Sequence, residues 1–111
     1  MNVYDKAYEL AKSLRDSAEA QSLTAAKAAV EGEADASRML GDFLERQHDL
    51  QHRMMLGEEP TPEELEKMNK LYELIALNPL INQYFEAERR FAILFDDINR
   101  IIGEGLKSVL E

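Results

Sequence analysis

The residues best suited to chemistry lie close together: Glu45-x-x-His48, followed at once by Asp49-x-x-His52. A carboxylate three residues before a histidine shares a helix face with it, and helical di-iron proteins use such pairs as metal ligands. Those centres need two pairs on different helices and two further inward glutamates. Here both pairs fall on one predicted helix, and His48 and His52 are the only 2 histidines of the chain. On a 3.6-residue wheel, Glu45, His48 and His52 also lie opposite Phe43, Leu50 and Met54. The reading that follows is a pair of solvated histidines. A metal held by Glu45, His48 and His52, serving a metal-binding or enzymatic protein, is the alternative, because positions four apart share a face.

A second carboxylate raises a different question. In "QYFEAERRF", Gln83 to Phe91, Glu88 falls at a wheel angle close to Tyr84 and Phe95, partly inside an apolar seam. Gln47 interrupts the apolar stripe of another helix in the same way. A buried carboxylate or amide without a partner is costly. The two are therefore expected to meet, directly or through water, or each to meet its counterpart across an oligomer interface. Polar groups in apolar seams set register and oligomeric state, and that role is favoured over catalysis.

Other chemistries find little support. The serines sit near helix caps or among small residues, with no histidine suitably placed as a base. There is no glycine-rich phosphate loop. Cysteine is absent, which removes disulfides, thiolate nucleophiles and Cys-held iron–sulfur clusters. No catalytic residue, cofactor or metal ligand set is predicted.

The elements that carry these residues are helices. Apolar residues are 45% and charged residues 32% of the 111-residue chain, with 5 Gly and 3 Pro. Asn2 is placed to cap a helix to about Asp16, with Tyr4, Ala7, Tyr8, Ala11 and Leu14 on its apolar face. The Ala-rich segment from Ser17 to Gly32 predicts a helix that packs either closely or weakly. A third helix is expected from an Asp35 cap to about Leu56, with the stripe Ala36, Leu40, Phe43, Gln47, Leu50 and Met54, and with Met54 filling core. "TPEE" from Thr61 to Glu64 is a capping box with Pro62 at the first helical position. Asn78-Pro79 repeats the cap-then-proline signal and opens a long last helix. There Leu77, Tyr84, Phe91 and Ile98 recur every seven residues, and Gly103 and Gly105 loosen the end. Acid-then-base pairs four apart, such as Asp49–Arg53, Glu66–Lys70 and Asp96–Arg100, support the helices.

These patterns predict an all-α fold: an antiparallel bundle of four to five helices with a long C-terminal helix and no β-sheet, forming a single domain over residues 1–111. The long seam exceeds what three short helices can cover. A homodimer is expected, with Tyr84, Phe91, Leu94, Phe95 and Ile98 as interface candidates. The net charge of -9 works against direct nucleic-acid binding and against anionic membranes. The opening "MNVYDKAYEL" has no apolar core of signal-peptide length, and no apolar run approaches a membrane span. A cytoplasmic protein is expected.

"DASRMLGDFLERQ" (Asp35 to Gln47), "NPLINQYFEAERRFAILFDDINRII" (Asn78 to Ile102) and the opening "YDKAYELAKSLRDS" resemble, in order and spacing, the YlbF/YmcA-like family of small helical bacterial proteins, and most of all its YheA-like branch. The resemblance implies a dimerising all-α protein of the Gram-positive cytoplasm, without a catalytic site of its own. It also implies partnership with other proteins. Better-known members join a complex that influences ribonuclease Y, RNA maturation and developmental programmes. Some of them hold iron–sulfur clusters through cysteine, a property this cysteine-free chain does not share.

Overall fold

The computed structural model describes residues 2–111 and contains only helices, turns and connecting coil among them. The order is α1 (Val3–Arg15), α2 (Ala18–Glu31), α3 (Ala34–Met55), α4 (Pro62–Ile75), α5 (Pro79–Gly105) and the single turn α6 (Lys107–Leu110).

Most boundaries follow local chemistry. The Asn2, Ser17 and Thr61 side chains each accept a hydrogen bond from the backbone N–H three residues on. Asn78 accepts from Leu80 and Ile81, with Pro79 next in line. These bonds satisfy amide donors that have no partner inside the helix. Thr61 and Glu64 form the full capping box. Gly57 ends α3 with φ +89°, a conformation that glycine adopts without steric cost.

The α3 start differs from expectation. Glu33, not Asp35, is the N-cap, and no side chain caps the helix. Asp35 lies inside the first turn, where its charge suits the helix dipole. The short crossover from α2 through Gly32 leaves no room for a longer lead. Helix α5 runs through Gly103 to Gly105 and breaks at Leu106, so its two glycines lie in its final turn.

The core gathers where α2, α3, α4 and α5 meet. Val30, Ala36, Leu40, Phe43, Ile75, Ile81, Tyr84 and Phe85 form one buried cluster, with Leu23, Leu44, Met68 and Leu71 against it. Phe43, Tyr72 and Phe85 bring one ring each from α3, α4 and α5, with centroids 4.5–5.9 Å apart. Aromatic contacts at this range add to plain area burial. Helices α3 and α4 run antiparallel: Phe43 meets Tyr72 near one end of the pair, and Arg53 meets Glu64 near the other.

The Ala-rich α2 packs closely. It makes the most extensive helix–helix contact of the fold, along α5. Ser22, Ala25, Ala26 and Ala29 face Gln83, Glu86, Ala87 and Arg90 across one shallow groove. Small side chains along α2 let it approach α5 at Ala87, so little bulk is needed to bury that residue.

Away from this core the molecule is thin and open. Its extents are 48 × 35 × 17 Å and its radius of gyration is 17.5 Å, against about 13 Å for a compact chain of this length. Helix α1 has no buried residue, and Met54 is exposed rather than core. Met54 lies past the last turn that α4 covers.

Candidate interaction surface

The histidine-bearing face of α3 looks outward. Glu45, His48 and His52 are all exposed, while Phe43 and Leu40 turn into the core. Among the described residues no group of three or more His, Cys, Asp or Glu side chains is placed to hold a metal ion. The alternative ligand set Glu45, His48 and His52 is therefore not assembled within the chain.

The most organised polar cluster lies at the turn end of the α3–α4 hairpin. The Arg53 guanidinium donates from Nε to Glu58 Oε2 at 3.1 Å and from Nη2 to Glu64 Oε1 at 3.1 Å, with a third bond from Nη1 to Glu64 Oε2. Glu64 Oε1 also accepts from the Thr61 amide at 3.1 Å. The Arg53 bonds, then that amide, hold the Glu64 carboxyl down at about 2. The two carboxylates in turn hold the Arg53 guanidinium above its usual range. Arg46, Asp49, Leu50, Lys67 and Met68 complete a cleft of about 230 Å³ beside this clamp. Within the clamp Arg53, Glu58 and Glu64 are committed to one another, which suits closing a hairpin better than activating a substrate.

Sequence spacing paired Arg53 with Asp49 and missed this clamp. The available signal was the capping box itself, since a short GEEPTP turn must return Glu64 to the end of α3. Of the pairs four apart, Glu66–Lys70 forms, at 3.2 Å. Arg53 and Arg100 find other acids: Arg100 reaches Glu104 at 3.1 Å and Asp97 at 3.7 Å.

Gln47 and Glu88 line one cleft of about 200 Å³, together with Phe43, Leu44, Tyr72, Phe85, Arg89 and Ala92. Both are exposed in the single chain, and no hydrogen bond joins them among the described residues. Glu88 thus lies at the open edge of the covered seam, beside α3 and α4 but not buried by them. Tyr84, an interface candidate by its heptad position, is only 8% exposed and belongs to the chain's own core. Burial, aided by the neighbouring Glu88 carboxylate, pushes its phenol up to about 12.

The remaining interface candidates share one uncovered surface. Phe91, Leu94 and Ile98 are half-buried, Phe95 is 46% exposed and Ile101 is 56% exposed. The Phe91 and Phe95 rings stack on one another at 6.4 Å. Tyr4 and Tyr8 of α1 are each 76% exposed. The solvent-accessible surface is 8610 Å², whereas a compact monomer of 12.7 kDa presents about 6200 Å². The excess is apolar helix face as well as polar surface.

Comparison with known proteins agrees with this architecture. Residues 3–107 match the family model described as control of competence regulator ComK, YlbF/YmcA. A UPF0342 protein of Caldicellulosiruptor bescii is 38% identical over 106 residues, covering 96% of this chain and 89% of the relative. A UPF0342 protein of Streptococcus agalactiae is 41% identical over 101 residues, covering 91% of each chain. A solved structure of a protein of unknown function (DUF964) from Bacillus stearothermophilus superposes with a TM-score of 0.85 at 23% identity, covering 96% of this chain and 94% of its own. That likeness establishes the shared fold.

Proposed function

The chain belongs to the YlbF/YmcA family, and from that premise we propose that it is a non-enzymatic helical interaction module, a homodimeric regulatory adaptor formed by one domain over residues 1–111. The family is described by control of the competence regulator ComK. The proposed role is of the same kind: contact with protein partners in the cytoplasm that influences RNA processing and development, without direct nucleic-acid or membrane binding. The acidic net charge of -9 supports the exclusion of phosphate-rich partners. Among the described residues no helix is long and apolar enough to cross a membrane.

The observation that carries the reading is the uncovered apolar seam of α5 from Phe91 to Ile102. Contiguous apolar surface of this kind marks a contact site for another protein surface. Gln47 and Glu88, at the edge of that seam, serve as polar groups that set its register. Light scattering is the test. The expected mass is twice 12.7 kDa at micromolar concentration. A monomer mass throughout would remove the homodimer.

A further inference from the structure

Two amphipathic faces of this chain are left exposed within it: the Tyr4–Ala7–Tyr8–Ala11 face of α1, and on distal α5 the surface that shows Phe95, Ile101 and Ile102 beside the half-buried Phe91, Leu94 and Ile98. We propose that they are the two halves of one reciprocal interface, in which α1 of each copy lies against distal α5 of its partner. The inference rests on the homodimer reading and specifies its surface.

Four features point to a second copy of this chain as the occupant. The first is length. Helix α1 spans about 20 Å, and α5 from Phe91 to Gly105 about 22 Å, so each covers the other. The second is charge. Lys6, Lys12 and Arg15 outweigh Asp5 and Glu9, so α1 carries +1 in a chain of -9. Distal α5 carries Asp96, Asp97 and Glu104 against Arg100, a net -2. Lys6 pairs with Glu9, while Lys12 and Arg15 meet no acid among the described residues. Pairing distal α5 with itself would set like charges together and leave α1 bare.

The third feature is the joint. Ser17 Oγ donates to Leu14 O at 2.7 Å and accepts from Ala20 N at 3.1 Å, and Gln21 Nε2 donates to Asp16 O at 3.3 Å. These bonds cap the joint and set the angle at which α1 leaves α2. The fourth is area. The chain exposes about 2400 Å² more than a compact monomer, ample for the roughly 800 Å² per partner that a standard interface buries. A two-fold pair in which each copy offers both faces is closed, with neither face left over.

The test uses full-length variants. Tyr4→Asp/Tyr8→Asp alters α1, and Phe95→Asp/Ile101→Asp alters distal α5. All four side chains are exposed in the single chain, so circular dichroism should show the helical fold retained. Each variant alone should dimerise roughly a hundredfold more weakly than the parent by sedimentation equilibrium. Mixed together, they should recover a heterodimer of intermediate affinity, because one α1–α5 contact is then intact. A dimer unaffected by the α1 changes, or loss in both variants without recovery on mixing, overturns the reciprocal arrangement while leaving a homodimer standing. A monomeric parent overturns the homodimer reading as well.

Discussion

Helix α5 carries one apolar pattern through two different surroundings. In its first ten residues Ile81, Tyr84, Phe85 and Ala87 are buried against α2, α3 and α4. Beyond Ala87 the same spacing continues through Phe91, Phe95 and Ile98, yet none of these is buried: Phe91 and Ile98 are half-covered and Phe95 is exposed. Period and composition barely change across the boundary; the covering changes. A heptad seam thus reports that a face is apolar, and leaves open whether its partner is the same chain.

The largest effect should come from swapping matched aromatic deletions between the two halves. Phe85→Ala removes a ring that touches both Phe43 and Tyr72, and should cost about 3–5 kcal/mol in urea unfolding. Phe95→Ala, 46% exposed, should change the unfolding of the isolated chain by less than about 1 kcal/mol. Equal losses in dilute monomer would erase the distinction between the halves.

A smaller effect is expected at the start of the covered half. Asn78 caps α5 through Leu80 and Ile81, and Asn78→Ala should cost roughly 1 kcal/mol by the same measurement. Acid should then probe the covered region at its other end. Glu64 is held at about 2 in the folded chain, well below the usual carboxylate range. A depressed carboxyl stabilises the fold fully above its unfolded value, and that contribution is lost as pH falls from about 4.5 towards 2. Glu64→Gln should flatten the acid limb of a pH–stability curve over that window. An unchanged limb would mean that the Arg53 clamp is weak in solution. The smallest change is expected on the border itself: Glu88→Leu and Gln47→Leu should each shift monomer unfolding by no more than about 0.5 kcal/mol. A shift in dimer affinity or stoichiometry for either would place that residue at the interface.

What the sequence made legible divides along the same boundary. The helices were readable because caps, prolines and Gly57 act locally, as at Thr61-Pro62 and Asn78-Pro79. The role of α2 was half-readable: its alanines signalled helix, and only the facing Ala87 decides for close packing. Wheel angle places Tyr84 and Glu88 both near the seam without saying where the covering helices stop, and the fold buries the first and leaves the second exposed. The partners of Arg53 were missed for a related reason. Spacing within a helix favours Asp49, whereas a hairpin turn brings in Glu58 and Glu64 with better geometry. The uncovered surface on distal α5 was visible in the heptads, and its company with α1 was not, because nothing in either pattern names the other.

The continuity of α5 across the boundary also has a mechanical meaning. One unbroken helix is gripped at its base by the core and projects beyond it for about 25 Å, with no kink or glycine until Gly103. It is a lever with its fulcrum beside Ala87, where α2 offers only the small side chains of Ser22, Ala25, Ala26 and Ala29. A tilt of about 10° at that fulcrum moves the far end by about 4 Å, nearly a full turn of helix. Whatever grips the tip is thereby geared to the packing of the aromatic cluster at the base.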